Sequence, residues 1–242
     1  MGFRPKKLAG KYKMSANTLR NYEVKGLIPP AERSSNGYRM YSEQHEDFLA
    51  CIQAMSPAFG MEVTTKVLHC LQRNEIDDAL WTIREREVLL YRKKASLDQL
   101  VIELKSIGEG HQACDFSQRL SIHEVSSRTG TPKSTIRYWE QSGLFSTQRN
   151  PDNGYRLYSE ADLLKIRMIQ LMQNCVYSEE AVNLKMSIAL LEMQNIEHAM
   201  KLADCIRVYL NNTIKLQMQA LCYLYRLIQA LGFSKTIETQ HR

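Results

Sequence analysis

The longest regular pattern of apolar residues lies in the middle of the chain. Isoleucine or leucine recurs every seven residues, at Ile76, Ile83, Leu90, Leu97 and Leu104. The row offset from it by four residues begins at Leu80 and mixes apolar with charged residues. A narrow heptad row of this kind is typical of a helix that contacts one partner helix. It predicts a long helix over residues 75–107.

A second stretch of heptad spacing lies nearer the carboxyl end. Two rows of apolar residues run side by side there, one interrupted at Arg207 and the other at Gln217. The rows are Met193, Met200, Ile214, Leu221 and Ile228, and Ile196, Ala203, Leu210, Leu224 and Leu231. Together they form a wider apolar face than the first helix has, and they predict a second long helix over residues 191–232.

Shorter patterns precede the second long helix. An apolar face over residues 122–126 indicates a short helix, and Gly130 follows it at a turn. Thr131 and Pro132 then have the form of an N-cap followed by proline at the first helical position, which predicts a second helix ending near Ser142. Two short helices around a tight turn form a helix-turn-helix.

An Asn-Gly pair follows in two places, at Asn36-Gly37 and Asn153-Gly154. This pair is the strongest local signal for a two-residue hairpin turn, because both turn residues need positive φ. After each pair, residues of one strand face alternate with an arginine and a tyrosine of the other face. The turn pair and this alternation together predict a β-hairpin wing. Ser159, with an aspartate three residues later, has nearly the form of a capping box and begins the next predicted helix.

The chain contains this set of elements twice. TLRNYEVKGLIPPAERSSNGYRMYSE at residues 18–43 aligns without a gap with TIRYWEQSGLFSTQRNPDNGYRLYSE at residues 135–160, and about a dozen positions are identical. The repeat distance is that of a domain rather than of a solenoid unit. The sequence therefore predicts a mainly α protein with two winged helix-turn-helix modules. The predicted boundaries are 1–74 for the first module, 75–107 for the first long helix, 108–119 for a linker, 120–190 for the second module, 191–232 for the second long helix and 233–242 for a tail.

The composition favours a globular protein of a reducing compartment. Of 242 residues, 44% are apolar, which is enough for two cores. No apolar run approaches the roughly twenty residues of a membrane span, and the opening MGFRPKKLAG lacks the apolar segment of a signal peptide. The six cysteines stand singly, which favours packing roles over disulfides. We expect a cytoplasmic protein that does not contact membranes.

The net charge of +6 is concentrated on the first repeat. Residues 1–45 carry nine Lys/Arg against three Asp/Glu, and residues 121–170 carry seven against five. A basic segment indicates a polyanionic partner, although a run of charge can also be only a solvated surface.

The repeated motifs resemble those of a known family of regulators. The joint pattern T-[LI]-R-x-[YW]-E, G-L and N-G-Y-R-x-Y-S-E is similar to the winged helix-turn-helix of the MerR family of bacterial transcription regulators, over roughly residues 3–72 and 120–190. The resemblance implies binding to double-stranded promoter DNA and a long helix that pairs antiparallel with a partner helix. It also implies that, with an effector bound, the protein bends and untwists the promoter so that RNA polymerase can engage.

The resemblance further implies which side chains contact DNA. Arg20 and Arg137 would act from the recognition helices, with aromatic and amide neighbours beside them. The wing arginines would hold phosphate or the minor-groove edge, helped by tyrosines, since guanidinium grips phosphate through paired hydrogen bonds. The full implied set is Arg20, Asn21, Tyr22, Tyr38, Arg39, Tyr41, Arg137, Tyr138, Trp139, Tyr155, Arg156 and Tyr158.

The first copy departs from this pattern at its turn. Lys13 stands opposite the turn glycine Gly130. A lysine at positive φ is strained, so the first turn is open to a different construction.

Sensing chemistry is weakly indicated. His111 and Cys114 follow the first long helix and are residue types that bind metals, but the paired-cysteine loop of metal-sensing relatives is absent. A plain linker is favoured, and no metal or cofactor is predicted. Four aromatic residues could either line a pocket for an apolar effector or pack in a core, and packing is favoured. These are Tyr209, Tyr223, Tyr225 and Phe233.

The leading interpretation is a sequence-specific regulator whose two tethered modules bind an imperfectly palindromic promoter site and bend or untwist it. The alternative is an architectural or recombination-assisting DNA-binding protein without promoter control. No nucleophile–base series or phosphate loop is apparent, so no enzyme is predicted. A linker of about a dozen residues can reach across roughly 40 Å when extended, which permits an intramolecular pseudo-dimer. A homodimer holding four modules stays open.

Overall fold

A computed structural model describes residues 3–109, 119–192 and 195–232. Within these ranges the chain forms ten helices and two short antiparallel hairpins. It divides into two compact units, residues 1–89 with 212–242 and residues 90–211. No described helix is long and apolar enough to cross a membrane. The prediction of a mainly α chain with hairpin wings is confirmed.

The first module begins with a helix-turn-helix and continues into a wing and two packing helices. Its α2 is capped by Ser15, whose hydroxyl accepts from the Thr18 backbone N–H at 2.9 Å. An isolated bridge between Phe3 and Tyr41 ties the start of the chain to the wing. The elements are α1 (Pro5–Lys11), α2 (Ala16–Val24), β1 (Glu32–Arg33), β2 (Arg39–Met40), α3 (Glu43–Phe59) and α4 (Met61–Gln72).

The second module repeats this order. The predicted capping box is confirmed, since Ser159 and Asp162 exchange backbone-to-side-chain bonds of 2.8 and 3.2 Å. The predicted N-cap at Thr131 is wrong, because its hydroxyl accepts from Gln170 Nε2 at 2.6 Å and Pro132 precedes the helix. The elements are α6 (Ile122–Thr129), α7 (Lys133–Gln141), β3 (Gln148–Arg149), β4 (Arg156–Leu157), α8 (Glu160–Leu171) and α9 (Glu179–Leu190).

Two long helices, α5 (Ile76–Gly108) and α10 (Ile196–Ala230), complete the fold. In the first unit, the core of the first module includes the amino-terminal half of α5 at Ile83 and the carboxyl-terminal half of α10 at Leu224. In the second unit, the opposite halves of both helices enter the core of the second module. Because opposite ends share a core in each unit, the helices run antiparallel, as predicted.

The apolar seam of α5 follows the predicted row. Ile83, Leu97 and Leu104 are buried. Ala79 and Leu100 are also buried. They form a second row of contacts that is offset from the first by three residues rather than by four. The row offset by four residues is mixed in the structure as in the sequence, since Leu80 is 47% exposed and Val101 is buried.

The seam of α10 is more continuous than the sequence indicates. Ala203, Leu210 and Leu224 are buried as predicted. Gln217 stands in the same row and is only 5% exposed, so it continues the seam rather than interrupting it. Ile214 of the other predicted row is 52% exposed and lies outside the seam.

The turns of the two modules use left-handed residues. Lys13 adopts φ 49° and Gly130 φ 67°, so the first turn keeps the shape of the second despite its lysine. In the wings only Gly37 and Gly154 have positive φ. The predicted two-residue turns are wrong, because the strand registers leave loops of residues 34–38 and 150–155.

A histidine caps α3 in the first module. His45 is 5% exposed, and its Nδ1 accepts from the Ser42 backbone N–H at 3.0 Å. Its Nε2 therefore carries the proton and donates to the Pro29 carbonyl at 3.1 Å. Burial lowers the pKa of His45 below its usual 6.5, while the nearby carboxylates of Glu23 and Glu32 oppose this shift.

We expect the first unit to lose stability in mild acid because of His45. A histidine whose folded pKa is lowered stabilises the fold fully above its unfolded pKa, and the stabilisation declines as the pH falls below about 6.5. Each pKa unit of depression corresponds to about 1.4 kcal/mol. Urea unfolding of the parent and of His45→Gln, which keeps an acceptor at the cap, measures this difference. Parallel pH profiles for the two proteins would contradict the assignment.

Candidate nucleic-acid interface

The second helix of each module presents an exposed arginine. Leu19 on α2 and Ile136 on α7 are 0% exposed, which fixes the rotation of each helix on its module. The next residue along each helix, Arg20 or Arg137, is consequently exposed to solvent. The structure thus places these two predicted DNA-binding side chains at equivalent, accessible positions.

The residues that follow these arginines differ between the modules. Asn21 is exposed on α2, and Tyr138 is 65% exposed on α7. An asparagine amide can make two hydrogen bonds to the edge of adenine, whereas a phenol offers one hydroxyl and an aromatic ring. The two recognition surfaces are therefore chemically different.

Three side chains predicted to contact DNA are buried instead. Trp139 is 3% exposed, and Tyr41 and Tyr158 are 0% exposed. Tyr22 is half-buried and packs against the first core. Side chains with almost no accessible surface cannot contact DNA in this conformation, so the predicted contacts of Trp139, Tyr41 and Tyr158 are corrected to packing roles. The motif alone does not separate the two roles, because large aromatic residues serve in both cores and interfaces.

A glutamate near the end of α2, and another near the end of α7, holds the wing of its module. Arg39 Nε lies 2.9 Å from Glu23 Oε2, and Arg156 Nε lies 2.5 Å from Glu140 Oε2. Both wing arginines are half-buried. The two residues predicted to hold phosphate therefore already have a carboxylate partner, and each pair joins the recognition helix to the second wing strand.

The remaining partner of each glutamate distinguishes the modules. Tyr41 donates its hydroxyl to Glu23 Oε2 at 3.1 Å. In the second module Thr147 donates to Glu140 Oε1 at 2.8 Å. The Tyr158 hydroxyl is buried and has no hydrogen-bond partner among the described residues. A threonine has thus replaced the tyrosine as the third member of the network.

The pKa values of Tyr41, Tyr158 and Glu140 depend on burial and on neighbouring groups. Burial, with a further contribution from Glu23, raises the pKa of Tyr41 to about 12. Burial also raises the pKa of Tyr158. Burial acts to raise the pKa of Glu140, but hydrogen bonds from Thr147 and Arg156 outweigh it and lower that pKa. The lowered pKa keeps Glu140 ionised at neutral pH, and the raised pKa values keep Tyr41 and Tyr158 neutral.

The wings present further polar groups. Tyr38 and Tyr155 are accessible, at 70% and 72% exposure. Arg33 and Arg149 are also exposed, and each donates to the carbonyl of the turn glycine at 3.1 or 3.2 Å. Sequence comparison missed this pair because the gap-free alignment places Arg33 opposite Asn150. The available signal was an arginine in the first strand of each wing.

The candidate sensing residues are only partly described. His111, Cys114 and Phe233 lie outside the described residues. No group of three His, Cys, Asp or Glu that could hold a metal occurs in the part of the chain that the structure describes. Tyr209 is buried in the core of the second unit, in keeping with packing, and Tyr225 is 61% exposed in the first.

Comparison with known proteins gives the family. The model for "MerR HTH family regulatory protein" matches residues 120–187, and that for "MerR family regulatory protein" matches residues 4–41. A segment of 98 residues is 32% identical to the HTH-type transcriptional regulator CueR of Escherichia coli O6:H1 and covers 39% of this chain and 67% of that regulator. The chain belongs to the MerR family.

Other matches are shorter. The mercuric resistance operon regulatory protein of Bacillus cereus is 42% identical over 76 residues, which are 31% of this chain and 58% of that protein. A Type II methyltransferase of Escherichia coli is 30% identical over 65 residues, 27% of this chain and 16% of the enzyme. The match thus spans little more than half of the Bacillus regulator. No solved structure was found to match. The two MerR-type modules predicted from the repeat are confirmed.

The two tyrosines at equivalent positions should respond differently to loss of the hydroxyl. Tyr41→Phe removes a bond to a carboxylate and should destabilise the protein by about 1.5–3 kcal/mol. Tyr158→Phe removes a hydroxyl without a partner and should leave stability unchanged or slightly raised. Equilibrium unfolding in urea measures both. Equal losses of stability would show that the Tyr158 hydroxyl has a partner too.

Proposed function

We propose that this MerR-family protein is a promoter-binding transcription regulator whose two modules bind the two halves of one operator. The observation that carries the proposal is the repeated exposure of an arginine, Arg20 or Arg137, on a recognition helix anchored by a buried neighbour. Guanidinium groups suit both phosphate oxygens and the guanine edge. The excess positive charge on residues 1–45 supports the same partner.

The wings would position the modules on the DNA backbone. Tyr38 and Tyr155 are exposed at the hairpins and can donate hydroxyl bonds to phosphate. Arg39 and Arg156 would act mainly by holding the wing to the recognition helix through Glu23 and Glu140, with their remaining donors toward phosphate. Such contacts set register rather than sequence preference.

One chain would supply both half-site modules. In each unit, opposite halves of α5 and α10 share the core of one module, which is the arrangement expected of an intramolecular pseudo-dimer. The homodimer alternative rested on the apolar end of α10. Leu224 is buried there, and Ile228 and Leu231 pack against the core of the first unit, so that face is used within the chain.

Binding to both half-sites would bend or untwist the DNA between them and so affect RNA polymerase indirectly, in the cytoplasm. Deformation of this kind is energetically accessible, because bending a site of 20–30 base pairs costs on the order of 1–6 kcal/mol. Footprinting on native promoters tests the proposal. Protection of the polymerase spacer supports a regulator, whereas protection confined to sites away from promoters would indicate an architectural protein and overturn it.

The recognition arginines should contribute to affinity in both modules. We expect Arg20→Ala or Arg137→Ala to weaken operator binding by about 1–3 kcal/mol and to reduce the slope of log affinity against log salt, through the loss of a cationic contact. Titrations at several salt concentrations measure both quantities. Lys215→Met, at an exposed position on α10, is the matched control. Unchanged affinity in both arginine variants would refute the interface.

The operator should be imperfectly palindromic, because Asn21 and Tyr138 cannot make the same contacts with base edges. Asn21→Ala should relax the sequence preference of one half-site, and Tyr138→Ala that of the other. Selection of bound DNA from a random pool with each variant reads out both halves. Identical half-sites in the parent selection, or changes in both halves from one variant, would contradict this expectation.

One chain should occupy one operator. Full-length chains with and without a large tag, mixed before addition of DNA, should give two shifted complexes in a gel if one chain binds and three if two chains bind. Light scattering on the complex gives the stoichiometry independently. An additional mixed complex in the gel would show that two chains, and hence four modules, hold the DNA.

A further inference from the structure

A polar cavity of about 460 Å³ lies in the second module, behind the wing. The segment leading into β3, the amino end of α8 and the carboxyl end of α9 surround it. Phe145, Leu157 and Leu191 supply apolar wall, and Lys165 brings an ammonium group to it. The volume lies within the range of small-molecule sites. None of the DNA-contacting side chains predicted for this module lines the cavity.

The first module has no lysine at the corresponding position. Counted from the capping serines Ser42 and Ser159, Lys165 on α8 corresponds to Phe48 on α3. Phe48 is 0% exposed and fills the core of its own module. The same fold therefore closes this position with an aromatic ring in one copy and opens it to a lysine in the other. Packing of the module does not require the lysine.

The lysine ammonium lacks an anionic partner. Its Nζ donates to the carbonyls of Ala189 and Leu191 at 2.6 and 3.1 Å, at the end of α9. Lys165 forms no ion pair within residues 3–109, 119–192 and 195–232, and burial lowers its pKa. Two carboxylates, Asp162 and Glu192, also line the cavity, and neither forms an ion pair with Lys165. Asp162 accepts two bonds of 2.8 Å from Ser159 and serves as a helix cap. Burial of a cation that is not paired with a carboxylate is costly, and the distant attraction of Asp162 does not offset it, since the pKa of Lys165 stays lowered. An anion in contact with the ammonium would reduce that cost.

We propose that this cavity is a binding site for a small organic carboxylate, held by the ammonium of Lys165 against the apolar wall formed by Phe145, Leu157 and Leu191. The carboxylate accepts from Nζ in place of one of the two backbone carbonyls. The organic body covers the apolar wall. Ser146 and Gln148 at the rim offer further hydrogen bonds. The site is independent of the proposed function, because it uses no group assigned to DNA binding.

Three carboxylates of different shape serve as probes: 4-hydroxybenzoate, hexanoate and succinate. Each is titrated to about 10 mM, roughly tenfold above the Kd of about 1 mM that we expect for such small molecules. Backbone amide chemical shifts of the full chain report both affinity and location. We expect at least one probe to shift the amides of residues 145–148 and 189–191. The neutral amides 4-hydroxybenzamide and hexanamide should bind at least tenfold more weakly than the matching acids.

Two substitutions at Lys165 separate the effect of its charge from the effect of the volume of the cavity. Lys165→Met keeps a long side chain but removes its charge. It should weaken binding of the carboxylate at least tenfold, to the affinity of the matching amide. Lys165→Phe introduces the residue of the first module, so it should fold and abolish binding by filling the cavity. Lys215→Met, on an exposed part of α10, should bind like the parent.

The outcomes decide the proposal in both directions. Binding that shifts the cavity amides, prefers acid to amide and disappears in Lys165→Met establishes the site. Absence of any shift with all three probes overturns it. Equal binding by acid and amide, or retention of binding in Lys165→Met, also overturns it, because the ammonium would then not be the anchor. DNA affinity of the same variants is measured separately, so failure of the DNA interface and failure of this site are distinguished.

Discussion

The shared cores between the long helices and the modules hold this protein together. Neither α5 nor α10 belongs to one module, since each helix contributes one half to each of two cores. An isolated helix of this length gains little stability in water without tertiary packing of its apolar face. The antiparallel pairing supplies that packing at both ends. It also couples the placement of each recognition helix to a core built from three distant parts of the chain.

Within each module, a glutamate joins the second helix of the helix-turn-helix to the wing. Glu23 and Glu140 stand on the recognition helices and bind the second wing strand through Arg39 and Arg156. These pairs are half-buried, so they are less screened than surface ion pairs. Each ion pair thereby ties the second wing strand to the second helix of the helix-turn-helix. The arginines of the motif consequently have a structural role even before any DNA is bound.

The two copies have diverged where the fold tolerates it. Lys13 accepts a left-handed turn that Gly130 adopts without strain. Phe48 fills space that Lys165 leaves open as a polar cavity. Exposed Asn21 is matched by exposed Tyr138. The two modules therefore share the order of their elements but present chemically different surfaces.

The sequence alone determined the architecture of this protein, because heptad spacing and a domain-length repeat are periodic signals that survive local exceptions. It gave the two modules, the two long helices and the exposed arginines at positions 20 and 137. Only the tertiary structure decided which aromatic residues of the motif are buried. It also decided that Gln217 belongs to the seam, that the wing loops are longer than two residues, and that Thr147 takes the place of a tyrosine beside Glu140. These outcomes depend on distances between residues far apart in the chain, and no local pattern encodes such distances.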